Sequence, residues 1–179
     1  MIKDLRIKSI LVLCFLLLVS VSARPQSVID NRTEYEKKFI GLKFSNRDKL
    51  PDNLKSSSGY MLDTVNNTEF ALKEVLTRNR VMIWFERFLF RDSTGNAHFE
   101  VIDVLLLPQL KKNQIIIFGT CLYVGDSGYD PEIVAIGDDS GKPEVDHIRR
   151  AWRANRLTGK FELESVEYLR AINESRIPD

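Results

Sequence analysis

Apolar and polar positions follow different rhythms along this chain, and the densest apolar stretch, Val81 to Val124, is where the fold is expected to organise. Val81-Met-Ile-Trp-Phe-Glu-Arg-Phe-Leu-Phe90 is rich in β-branched and aromatic residues, which suit a packed pleated surface better than a helix. Arg91-Asp-Ser-Thr-Gly-Asn96 then offers Asp at the start of a turn and Gly at its left-handed end. Ala97 to Leu107 is the predicted return strand, stopped by Pro108, and Lys111-Lys-Asn113 makes the next turn. Ile115 to Val124 is almost wholly apolar, as expected of a central strand covered on both faces. If Arg91 closes the first turn against Asn96, Arg87 lies opposite Glu100, Phe88 opposite Phe99 and Asp103 opposite Trp84. The rival register, with Asp92 opposite Asn96, sets Arg87 against Val101 instead.

On either side of this meander the spacing changes. Asn67 to Asn79 reads as a helix capped by Asn67, with Ala71 and Val75, and Leu72 and Leu76, stacked four apart. Glu69 with Lys73, and Glu74 with Arg78, would then form ion pairs on its outer face. Pro143 to Asn155 reads as a second helix in preference to a strand, with Pro at its first position, arginines in its last turn, and Val145, Ile148 and Trp152 on one face. Glu132 to Gly137 is expected to be a short fourth strand, and Lys160 to Val166 alternates as a half-buried last strand with Phe161 and Leu163 on one face. The predicted class is therefore α+β: an antiparallel β-meander of about five strands with one or two helices packed on it.

Ahead of the first helix the pattern dissolves. Residues 24–66 form a polar extension in which Lys55-Ser-Ser-Ser-Gly59 is the loosest part, Thr33 to Phe39 offers a helical turn or two, and Tyr35, Phe39, Ile40, Leu42 and Phe44 could dock on the sheet. Residues 67–172 are the α+β domain and 173–179 a polar tail. Residues 1–23 carry Lys3, Arg6 and Lys8, an uncharged run from Ile10 to Val21, and then Val21-Ser-Ala23. That pattern is a secretory signal peptide, too short in its apolar run to span a bilayer comfortably, and cleavage is expected after Ala23.

Export changes how the remaining composition is read. The leader holds three of the 26 basic and one of the 25 acidic residues, leaving 23 against 24, a balance that argues against nucleic acid as a partner. Cys14 leaves with the leader, so Cys121 has no disulfide partner within the mature chain, and its apolar flanks predict a buried, inert thiol. No cofactor motif is present and none is expected.

The attractive catalytic patterns fail on spacing. Gly125-Asp-Ser-Gly128 looks like a serine-protease nucleophile segment, but only His98 precedes Ser127, and Tyr129 stands where that family has a second glycine. His98 and His147 have no cysteine pair to complete a zinc site, and Asp126, Asp130, Asp138 and Asp139 lack the alternate spacing of an EF-hand. Glu86, Glu100 and Asp103 are charges inside apolar strands, where paired carboxylates could do acid–base work, although Arg87 is placed to neutralise Glu100. Arg149, Arg150, Arg153, Arg156 and Lys160 surround Trp152, a combination that could bind phosphate, an anionic lipid surface, an acidic glycan or a protein, or else anchor the second helix to the core. Asn31-Arg-Thr33, Asn66-Asn-Thr68 and Asn173-Glu-Ser175 match the N-glycosylation acceptor pattern, which has meaning only in a eukaryotic secretory pathway.

Trp84-Phe-Glu-Arg87, Phe118-Gly-Thr-Cys121, Asp130-Pro-Glu-Ile-Val-Ala-Ile136, Ala151-Trp-Arg-Ala-Asn155 and Thr158-Gly-Lys-Phe-Glu162 are together similar to a group of small, uncharacterised exported proteins of cyanobacteria. The similarity covers about Val81 to Val166 and implies export and a common fold, with no activity attached. In that pattern a second cysteine follows the final strand, where this chain has Leu169-Arg-Ala-Ile-Asn173, so the resemblance implies no disulfide for Cys121. The sequence thus points to an exported, non-catalytic binding module, with a small secreted hydrolase using sheet carboxylates as the alternative. A deep pocket enclosing Glu86, Glu100 or Asp103 would favour the hydrolase, and a filled core under a basic helix would favour binding.

Overall fold

The computed structural model describes residues 33–46, 48, 50, 51 and 54–177; the expected leader lies outside them. Where the two longer helices were expected, within Asn67–Asn79 and Pro143–Asn155, the chain forms strands, while Thr33 to Phe39 does hold its helical turn. The described residues contain one short helix, α1 (Glu34–Lys37), a 3₁₀ turn at Glu174–Arg176, and twelve strands in three antiparallel sheets. The α+β class gives way to an almost wholly β architecture.

The first sheet has five strands: β1 (Lys43–Ser45), β2 (Lys55–Val65), β3 (Thr68–Leu76), β4 (Val81–Arg91) and β5 (Ala97–Leu106), in the order β1-β5-β4-β3-β2. The second holds β6 (Gln114–Phe118), β8 (Ile133–Asp138), β10 (Ile148–Asn155) and β11 (Lys160–Glu164), in the order β11-β10-β8-β6. The third is small: β7 (Cys121–Tyr123), β9 (Glu144–Val145) and β12 (Leu169–Ile172), with β12 in the middle.

The first expected helix fails because a spacing of four suits both periods. Ala71 and Val75 share a face in a strand as well as in a helix, and so do Leu72 and Leu76. The turn residues decide the matter. Asn66 and Asn67 both adopt positive φ, 51° and 60°, the backbone of a tight hairpin turn that Asn tolerates, so Asn67 turns the chain and does not cap a helix. The second expected helix fails because Ile148–Asn155 is paired on both sides, Ala151 with Ala135 of β8 and with Glu164 of β11. Val145 and Ile148 enter one core and Trp152 another, so they share no face. Lys55–Gly59 is also ordered strand; it is polar because β2 is the edge of its sheet.

The expected hairpin of β4 and β5 is present, with Arg87 opposite Glu100 and Phe88 opposite Phe99, but Arg91 pairs with Ala97 and not Asn96: the turn closes in the rival register, and Leu89 is an extra residue that restores the expected one. Asp92 accepts from the backbone and hydroxyl of Thr94, the backbone and amide of Asn96, and Nε2 of His98, which together hold its carboxyl well below the usual range. Beyond the middle of the hairpin the register departs from a regular ladder. Ile102 is an extra residue between the pairs Glu86–Val101 and Phe85–Asp103, so Asp103 faces Phe85 and not Trp84. Val101 and Val104 consequently lie on one face although three residues apart.

Three cores follow from this layering. The N-terminal arm lays Phe39, Phe44 and Leu54 over Ala71, Val75, Met82 and Trp84 on the outer face of the first sheet. Glu36 of α1 is tied to the sheet by accepting the Leu106 N–H at 3.0 Å. The inner face of that sheet, with Leu72, Ile83, Phe85 and Leu105, packs on Val134, Ile136, Trp152 and Ala154 of the second sheet. The second sheet's other face, with Ile117, Ile133, Ala135 and Ala151, packs on Cys121, Val145, Leu169 and Ala171 of the third. Coverage on both faces explains the unbroken apolar run at 115–118, but β6 is an edge strand and not a central one, and the run breaks at Gly119 before entering a different sheet as β7. Cys121 is fully buried, as expected, and burial together with the charge of Asp130 pushes its thiol up to about 12.

Candidate functional site

The arginine cluster read from the sequence is spread over two faces of a strand. Arg150 stands on the Trp152 side, 5.4 Å from that ring, while Arg153 points the opposite way. Trp152 is 9% exposed and belongs to the core between the first two sheets. Arg153 meets three carboxylates, Asp130 at 2.8 Å, Glu132 at 2.9 Å and Glu164 at 2.6 Å. Burial opposes its charge, but those hydrogen bonds outweigh burial and hold the guanidinium protonated more firmly than usual. Arg156 pairs with Glu132 and donates to the backbone carbonyl of Asp63 at 2.6 Å, tying the β10–β11 turn to β2. Arg149 donates to Asp138 at 2.9 Å. Arg149, Arg153 and Arg156 are therefore internal fasteners, already supplied with anions.

The three strand carboxylates are equally dispersed. Glu100 pairs with Arg87. Asp103 is fully buried on the inner face, accepting from Val104 N at 2.8 Å and from Phe161 N at 2.7 Å, so that it fastens β11 across to β5. Glu86 lies on the opposite, arm-covered face. Asp130, Asp138 and Asp139 are taken by Arg153, Arg149 and Arg176, and among the described residues no group of three or more His, Cys, Asp or Glu could hold a metal ion. His98 stacks on Phe90 with ring centres 4.5 Å apart and contacts Asp92, a structural role at a turn.

The arrangement with unspent chemistry centres on Lys73, a residue that the sequence pattern assigns to a helix-surface pair with Glu69. Lys73 sits opposite Trp84 on β4, one diagonal step from Glu86. Its Nζ lies 3.6 Å from Glu86 Oε1, an ion pair too long for a hydrogen bond. Glu86 is 1% exposed and Lys73 17% exposed in their side chains. Glu86 Oε1 has no hydrogen-bond partner among the described residues, nor does the indole Nε1 of Trp84 on the same face. Burial lifts the Glu86 carboxyl from 4.5 to about 7, with Lys73 pulling the other way. The ammonium also rests against aromatic faces, 4.2 Å from the centre of Phe44 and 5.7 Å from that of Phe99.

A cleft of about 400 Å³ opens beside this pair, between the arm and strands β2 to β5. Phe44, Leu50 and Phe99 give it apolar walls; Ser45, Ser56 and Ser58 place hydroxyls around it. Asp48 and Arg91 stand at its rim, Asp48 accepting from Ser45 N at 2.5 Å and Arg91 donating to the Gly95 carbonyl at 3.2 Å. The size falls within the usual range for small-molecule sites. One signal for the site was present in the sequence: Glu86 is a charge inside an apolar strand. Its partner could not be read without the β3–β4 hairpin that the helix reading hid. No family model matches the chain, and neither the curated proteins nor the solved structures yield a match.

Proposed function

We propose that this protein is an exported, non-catalytic binding domain whose ligand site is the arm-covered cleft at Lys73 and Glu86. The observation that carries the reading is a half-buried Lys73 held 3.6 Å from a buried Glu86, whose Oε1 has no hydrogen-bond partner among the described residues, beside a cleft with apolar walls. A buried carboxylate is expensive unless its hydrogen bonds are complete, and an incompletely satisfied pair beside a cleft is what a ligand can complete. Binding is favoured over hydrolysis by the scatter of the carboxylates: Glu86 faces the arm, Asp103 is spent on Phe161 N at 2.7 Å, and Glu100 is spent on Arg87. Export rests on the leader at residues 1–23.

A thermal-shift screen of small amphiphilic compounds tests the reading on the wild type and on a Lys73→Met, Glu86→Leu double variant. Ligands should raise the melting temperature of the wild type and leave the variant unmoved. If the variant melts higher and no compound moves the wild type, the pair is structural and the reading fails.

A further inference from the structure

Resting on that reading of the cleft, we infer that its ligand is a small organic monocarboxylate with an apolar body, and that binding it brings a proton from solvent onto Glu86. The argument begins with charge. Among the described residues, the titratable groups lining the cleft are Lys73 on β3, Glu86 and Arg91 on β4, Asp48 on the arm and Tyr60 on β2. The lining residues from β5, Ala97 and Phe99, carry no charge. With Tyr60 neutral, its hydroxyl donating to the Pro131 carbonyl at 2.6 Å, two cations and two anions balance among the described residues. Protonating Glu86 leaves one positive charge, which one monoanion neutralises and a dianion would overshoot.

Geometry locates that charge at Lys73. Its ammonium has three donors, yet it makes no hydrogen bond to a described residue, and its one carboxylate neighbour stands off at 3.6 Å. A ligand carboxylate entering beside the pair accepts from Nζ, but it also meets the negative charge of Glu86 in a poorly hydrated site. Two carboxylates sharing one cation there do not both stay ionised. Glu86 is the group that takes the proton, since it is buried and already titrates near neutrality, and once protonated it can donate a hydrogen bond to the bound carboxylate. An ammonium ligand would instead face Lys73 across the same few ångströms. Phe44, Phe99 and Leu50 set the remainder of the ligand as apolar.

Titration calorimetry of the full chain with benzoate, between pH 5.5 and 8.5 and in two cationic buffers of different ionisation enthalpy, tests the inference. Uptake of one proton predicts that the measured heat differs between the buffers and that affinity falls about tenfold per pH unit above pH 7. Glu86→Gln, neutral at every pH, should flatten the profile and remove the buffer dependence. Lys73→Met should abolish benzoate binding while circular dichroism shows the same sheet content. Benzoate that binds without proton exchange, or more tightly as pH rises, overturns the inference. Binding of benzylamine or benzyl alcohol in place of benzoate overturns the ligand class while the cleft stands as a site. Failure of all three compounds to bind removes the inference and the cleft reading together.

Discussion

Arg153 on β10 and Lys73 on β3 are both cations carried by inner strands, and they are accommodated in opposite ways. Arg153, 26% exposed, is surrounded by Asp130, Glu132 and Glu164, with every contact inside hydrogen-bond reach. Lys73 is more deeply placed, has Glu86 as its one ion-pair partner among the described residues, and is held off it at 3.6 Å with aromatic faces filling the space. A planar guanidinium can be saturated by several carboxylates, so the first arrangement works as a clasp. An ammonium that makes no hydrogen bond to a described residue makes the second arrangement a place where something can still be added. A count of basic residues around an aromatic points to the clasp; satisfaction of hydrogen bonds points to the cleft.

Trp152→Ala puts this contrast under the heaviest strain. On the β10 side the aromatic is core, so truncation should cost about 3–5 kcal/mol in chemical denaturation. A loss under 1 kcal/mol would return Trp152 to the role of a surface ligand contact. The next effect in size is on the β3–β4 side and depends on pH. The Glu86 carboxyl is raised in the folded state, so the fold binds its proton more tightly than the unfolded chain does. The associated stability is full below pH 4.5 and is lost as pH rises through about 7, an effect of roughly 3 kcal/mol. Subtracting the pH–stability curve of Glu86→Gln from that of the wild type should isolate this slope, and parallel curves would refute it.

Arg153→Met should cost about 2 kcal/mol, less than the 3–5 kcal/mol of a fully buried pair because the guanidinium is partly exposed. Arg149→Met, at a pair exposed on its arginine side, should leave stability nearly unchanged in the same assay. Equal costs for the two arginines would contradict the clasp.

The parts of this fold governed by local chemistry were legible. Asp92 and Gly95 announce their turn, Arg87 finds Glu100, and the apolar flanks of Cys121 bury it. The parts decided by which strands pair were not. Ala71 to Leu76 carries a spacing that helix and strand share, and only the double left-handed turn at Asn66 and Asn67 separates them. Ile148–Asn155 is a strand because β8 and β11 flank it; β11 follows across residues 156–159, a hairpin spacing that the helix reading passed over, while β8 ends at Asp138. The Lys73–Glu86 site inherits that difficulty, since its residues meet only when β3 and β4 pair.

Ile102, the extra residue of β5, bears on how this protein could vary in length. Removing a residue within Val104–Leu106 would turn what remains of the strand's end over, exchanging the arm face for the inner face. Removing Ile102 instead leaves Val101, Asp103, Val104 and Leu105 in plain alternation, each on the face it already occupies. A related chain shorter by one residue could thus drop Ile102, keep Asp103 within reach of Phe161, and keep Glu86 turned towards the arm.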